Sequence, residues 1–221
     1  MTCPVAHLRS APTAGRQPMR GFTWRRDQRH RPGLEFLVRT GRLHAFESLE
    51  EDRLLLALDF CGDVVELLSQ PLELKFRAGG QWRRHIPDFL VVTRGSTWLI
   101  DVRPARLIRP EDFEKFSASA VTAGSCGWGY EVVAGWKPHV ATAIEAMAAR
   151  RRTMADPLGT QATLLAASRR GLPFGELAVS CEYWPVARAH LLHLLWHRRL
   201  GVDLSQPLSD ASPVVCSEEA S

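Results

Sequence analysis

A chain of 221 residues, 45% hydrophobic and 24% charged, has the composition of a folded globular protein and the length for one main core plus a small second module, which excludes the disordered and fibrous classes. Its apolar runs stay below the roughly 18 residues that span a bilayer and its N-terminus has no apolar signal core, so a cytoplasmic protein is expected. The five cysteines (Cys3, Cys61, Cys126, Cys181 and Cys216) are scattered, odd in number and without a CxxC pair, which reads as free thiols rather than disulfides or a zinc site.

The net charge of +4 is unevenly spread. Residues 1–43 hold nine arginines, Arg25 and Arg26 among them, against Asp27 and Glu35, a net +7 that leaves −3 for the rest. With Pro4, Pro12, Pro18 and Pro32 and little apolar periodicity, this stretch is expected to be a basic arm. Such an arm either tethers DNA by releasing its counterions or is a solvated arginine-rich tail. The body is expected to begin near His44 and to run to residue 155. Good helix formers with Leu54, Leu55 and Leu58 at helical spacing predict a helix from Phe46 to Phe60, ended by Gly62 and Asp63. Residues 64–76 read as extended chain interrupted at Pro71, and residues 83–103 as two strands turning at Arg94 and Gly95. Pro110, followed by Glu111 and Asp112, opens a helix to about Ala123. A strand from Tyr130 to Ala134 and a helix from Pro138 to Arg152 follow. Beyond Asp156, Pro157 and Gly159, short helices at Thr160–Ser168, Phe174–Cys181 and Pro185–Arg199 and an extended piece from Gly201 to Val215 describe a winged-helix-like module over residues 156–221.

Chemistry concentrates in the expected hairpin. Residues two apart on a strand share a face, which puts Asp101 and Arg103 on one surface. If Arg94 and Gly95 form a two-residue turn, Asp88 lies across from Asp101, with Cβ atoms about 4.5–5.5 Å apart. Two carboxylates at that separation repel unless a cation sits between them. A three-residue loop would shift this register by one. Glu51 precedes Leu54, Leu55 and Leu58 by three, four and seven residues, so it lies on the apolar stripe, where a carboxylate needs a partner. An oxygen-rich donor set without clustered histidine or cysteine favours magnesium or manganese over zinc.

The series FESLEEDRLLLALDF, VVELLSQPLEL, HIPDFLVV and WLIDVRP resembles the catalytic domain of the TnsA endonucleases, within the PD-(D/E)xK nuclease superfamily, over roughly residues 44–140. The resemblance implies an α/β restriction-endonuclease-like core, a mixed central sheet flanked by helices. It implies a magnesium-dependent DNA endonuclease that cuts one strand at transposon ends, working beside a DDE transposase subunit (TnsB-like) and an AAA+ ATPase regulator (TnsC-like). Carried onto this chain, Asp88 and Asp101 are metal ligands, Glu51 is the helix carboxylate, and Gln70 with Pro71 matches the Gln-Pro element. Arg103 stands where the family pattern has lysine; arginine supplies charge but does not readily give up a proton. A restriction or repair nuclease of the same fold and a decayed DNA-binding or transposase adaptor are the alternative functions.

The remaining candidates have two readings each. His85 approaches the scissile phosphate or faces solvent, and Gln70 orients a ligand or caps a strand. Lys115 contacts DNA or decorates a helix. Arg150, Arg151 and Arg152 bind phosphate or complement a helix C-terminus. On the last helix, Arg188, His190, His193, His197, Arg198 and Arg199 form a DNA-contacting or a protein-docking face.

Overall fold

The computed structural model describes residues 4–10 and 32–217, so the arm candidates Arg25 and Arg26 lie outside the described residues. Two compact units make up the chain, Met1–Gly135 and Trp136–Ser221. Among the described residues, no helix is long and apolar enough to cross a membrane. Among the described residues, Cys61, Cys126, Cys181 and Cys216 form no disulfide.

The first unit starts earlier than its charge suggests. Strands β1 (Gly33–Leu37) and β2 (Arg42–Phe46) pair as an antiparallel hairpin, so residues 33–43 belong to the folded body and not to the arm. The density of arginine hides the short apolar pattern that buries Leu37 and Ala45. Buried Asp59 fastens the turn of this hairpin, accepting the backbone N–H groups of Val38 at 2.9 Å and Arg39 at 2.8 Å. Helix α1 (Leu49–Cys61) carries Asp59 and starts three residues later than expected, because Ser48 caps it. Gly62, at φ 73°, ends it in the left-handed conformation that glycine adopts without penalty. Leu54, Leu55 and Leu56 are its buried side chains, whereas Leu58 is only half-buried.

Strands β3 (Val64–Ser69), β6 (Phe89–Thr93), β7 (Thr97–Val102) and β8 (Gly129–Val133) form the central sheet in the order β3-β6-β7-β8. The first two pairings are antiparallel and β7 with β8 is parallel. The parallel pair requires a crossover, which α2 (Pro110–Ser125) supplies. Leu68, Leu90 and Leu99 of the sheet pack with Ala123 of α2, and Trp128 and Tyr130 cover the cluster. The mixed sheet flanked by helices fits the expected nuclease core. A separate antiparallel hairpin of β4 (Leu74–Ala78) and β5 (Gln81–His85) stands apart from it. Residues 83–85, expected to begin the β6 strand, belong to this hairpin instead, because Pro87 interrupts the extended chain before Phe89.

The second unit begins at Trp136 rather than near residue 156, since α3 (Pro138–Ala148) packs with the C-terminal helices. Helices α4 (Thr160–Ser168), α5 (Phe174–Val179) and α6 (Trp184–Trp196) enclose a core that includes Leu164, Leu177, Leu191, Leu194 and Trp196. The expected extended segment is reduced to two-residue strands, β9 (Leu200–Gly201) and β10 (Val215–Cys216), paired antiparallel.

Candidate active site

Asp88 lies at the end of β6, in a bend one residue before the strand. The β6–β7 ladder has the register that a two-residue turn demands, Phe89 opposite Ile100 and Val92 opposite Thr97. Asp88 continues that ladder irregularly. Its N–H donates to the Ile100 carbonyl at 3.1 Å, and its Oδ2 accepts the Val102 N–H at 2.7 Å, so the side chain replaces a missing strand carbonyl. Oδ1 has no hydrogen bond among the described residues.

Burial pushes the Asp88 carboxyl well above the usual carboxylate range, the charge of Glu51 pushes it further, and the charges of Asp101 and Glu47 add to this against the Val102 N–H. Glu51 and Asp101 are therefore each within electrostatic reach of Asp88. A crowd of carboxylates around one half-buried member is relieved by a proton or a cation.

The partners of the other two acids differ from the simplest metal cage. Asp101, buried on β7, accepts from His85 Nε2 at 2.8 Å on Oδ1 and from the Tyr130 hydroxyl at 2.8 Å on Oδ2. Burial and the Asp101 charge hold the Tyr130 phenol far above its ordinary range, so it stays a donor. His85, one of the two accessory candidates, is thus brought to the acids. Glu51 serves the start of α1: its Oε2 accepts the Glu47 N–H at 2.8 Å and its Oε1 the Ser48 hydroxyl at 2.8 Å. The Ser48–Glu51 spacing is a capping-box signature legible in the sequence. Among the described residues, no group of three or more His, Cys, Asp or Glu side chains is arranged to hold a metal ion.

Gln70 adjoins Asp88, its N–H donating to the Asp88 carbonyl at 2.7 Å. It is 4% exposed, its φ of 48° is in the left-handed region that disfavours a non-glycine residue, and its side-chain Oε1 is buried without a hydrogen bond. A strained backbone and an orphaned acceptor thus occur together in the residue whose N–H binds the Asp88 carbonyl, a combination that is met most often where function constrains the chain. Magnesium takes one or two protein oxygens and keeps water and phosphate for its remaining positions. Asp88 Oδ1 and Gln70 Oε1 are oxygen donors of the type such an ion takes.

Arg103 leaves the acids. Its Nε lies 3.3 Å from Asp112 Oδ2 at the start of α2, and it has no hydrogen bond or ion pair to Asp88 or Asp101 among the described residues. Asp112 also takes Lys115 Nζ at 2.7 Å, so Lys115 is engaged within its own helix. Burial raises the Asp112 carboxyl, but the hydrogen bonds from Lys115 and the Arg109 N–H and the charges of Lys115 and Arg103 outweigh it and hold the group below its usual range. Tyr130 and Asp112 were not singled out from the sequence, because only the β7–β8 pairing and the placement of α2 bring them near.

In the second unit, Arg151 donates to the Ala148 carbonyl at 2.8 Å, capping the end of α3. His193 Nδ1 and His197 Nε2 donate to the carbonyls of Arg150 and Arg151 at 2.7 and 3.0 Å. Arg188 pairs with Asp210 at 2.6 Å. Arg150, Arg152, Arg198 and Arg199 are exposed.

No curated protein matches the chain. Residues 61–135 match the model of the TnsA-like endonuclease N-terminal family, a stretch that holds Gln70, His85, Asp88, Asp101, Arg103 and Tyr130 but starts beyond Glu51. The match supports a TnsA-like nuclease over residues 61–135 of the first unit.

Proposed function

We propose that the protein is a metal-dependent DNA endonuclease subunit of a heteromeric transposase that cuts one strand at transposon ends. The observation that carries this reading is the crowded carboxyl of Asp88, oriented by the Val102 N–H and bound through its backbone carbonyl to Gln70, inside the stretch that matches the nuclease family. Magnesium or manganese, when bound by Asp88 with Gln70 and Asp101, would supply Lewis-acid polarisation of the phosphate and an acidified water. The chain's own residues do the rest. Val102 N–H fixes the orientation of Asp88, and His85 with Tyr130 fixes that of Asp101. Glu51 adds negative charge from the start of α1, and Arg103, steadied by Asp112, offers a positive charge for the developing oxyanion. Double-stranded DNA is the substrate, and the end-specific partners are a DDE transposase and an AAA+ ATPase. The C-terminal unit is a winged-helix-like docking module, and Arg25, Arg26, Arg150, Arg152, Arg198 and Arg199 are its and the arm's DNA contacts.

The arrangement of Arg103 favours a second reading, a decayed nuclease acting as an adaptor, because its charge is already paired with Asp112. Nicking of a labelled transposon-end duplex in magnesium or manganese, with the partner transposase present, separates the two. Cleavage that Asp88→Ala abolishes supports the nuclease. An inert wild type in which Arg103→Lys restores cutting establishes the adaptor.

A further inference from the structure

The β4–β5 hairpin has two unlike faces. Its register pairs Leu74 with His85, Phe76 with Arg83 and Ala78 with Gln81 on one face, and Lys75 with Arg84 and Arg77 with Trp82 on the other. The first face belongs to the body: Leu74 is buried, His85 reaches Asp101, and Arg83 lies 3.9 Å from Glu114 of α2. The second face is exposed along its length, with Trp82 at 71%. The Arg77 guanidinium sits 5.8 Å from the Trp82 ring, which holds the two side chains together.

No acidic residue occurs between Leu74 and His85. Lys75 and Arg84 stand directly opposite each other, a like-charge pair that repels across the strands unless an anion lies over it. Glu73, 3.4 Å from Arg84, offsets one of the three cations of this face. At the tip, Gly79 and Gly80 have φ of 55° and 76° with open space around both, the backbone of a tight two-residue turn at the end of the ribbon. A two-stranded ribbon is of a width that enters the DNA major groove.

We propose that the outer face of this hairpin, Lys75, Arg77, Trp82 and Arg84, is a DNA-gripping ribbon that holds the duplex beside the acids. The proposal rests on the nuclease reading for its substrate. Because His85 ends the ribbon on Asp101 and five strand residues span about 17 Å, the grip falls within roughly five base pairs of the acids. The occupant is double-stranded DNA because the face combines unbalanced cations with an exposed indole, on a ribbon whose end reaches the carboxylates through His85.

The test uses the full chain and a fluorescent duplex without divalent metal, with affinity measured by anisotropy over a salt series. Replacing Lys75, Arg77 and Arg84 together by Ser should lower the slope of log affinity against log salt by about 2–3 and weaken binding by at least about tenfold near 0.1 M salt. Should the triple variant fail to fold by circular dichroism, Lys75→Ser and Arg77→Ser singly carry the same test, each expected to lower the slope by about 1. An unchanged slope in a folded variant overturns the proposal and leaves the face to a protein partner. A wild type that binds no duplex overturns the ribbon and leaves the nuclease reading to the nicking assay with the partner present. A chain that grips DNA through the ribbon yet never nicks it upholds the ribbon and overturns only the nuclease.

Discussion

Arg103 is the residue at which sequence and geometry pull apart. The spacing of Asp101 and Arg103 on one strand suggests an acid beside a base, yet the strand ends at Val102 and the guanidinium is drawn to Asp112. Its 40% exposed side chain keeps one edge in water, where a phosphate would meet it. Under the nuclease reading, Arg103→Ala should slow nicking by roughly 10²–10³, the scale for losing one preorganised charge. Arg103→Lys should stay within about tenfold of wild type. If Arg103→Ala nicks as fast as wild type in a single-turnover assay, the role of the residue is confined to its ion pair with Asp112.

At the scale of elements, α1 joins structure to site. Its first turn places Glu51 near Asp88, with Glu47 just before its Ser48 cap also within reach, and its last turn carries Asp59, the buried carboxylate that holds the β1–β2 turn. Hydrogen bonds to a charged group each contribute about 1.5–3 kcal/mol, and Asp59 accepts two from backbone N–H groups that would otherwise lie unsatisfied. Asp59→Ala should therefore cost about 3 kcal/mol, read as a lower midpoint in urea denaturation. A loss below about 1 kcal/mol would mean that water replaces the carboxylate and that the hairpin is only loosely tied to α1. In contrast to Asp59, which has no place in the chemistry, Glu51 serves both the cap and the acid cluster, and stability and activity are expected to fall together when it is replaced.

For the whole molecule, the basic N-terminal region must be divided. Residues 1–31 carry Arg9, Arg16, Arg20, Arg25, Arg26, Arg29 and Arg31 against Asp27, whereas residues 33–43 build a hairpin whose Leu37 is fully buried. Deleting residues 1–31 should flatten the salt dependence of DNA binding while the chain still unfolds cooperatively. Deleting residues 1–43 should destabilise the first unit by at least about 3 kcal/mol, since it removes the buried Leu37 as well as the two donors to Asp59. Equal melting temperatures for the two deletions would refute that division.

Much of the molecule was legible because it depends on local chemistry. Pro110 with Glu111 and Asp112, Gly62 after an apolar helix, and Pro138 each set an element boundary through backbone constraints that act within a few residues. The turn at Arg94 and Gly95 did the same for the β6–β7 register, and with it for the approach of Asp88 to Asp101. What stayed hidden depends on contacts between residues far apart in sequence. Leu37 and Ala45 of the β1–β2 hairpin are buried because the hairpin packs on α1, the β4–β5 ribbon separates from the central sheet, and α3 joins the second unit through its packing on α6. Residue types and spacings selected the acids Glu51, Asp88 and Asp101. Only the fold decided that His85 and Tyr130 bind Asp101 and that Asp112 takes Arg103, because hydrogen-bond partners are chosen by distance in space and not by separation along the chain.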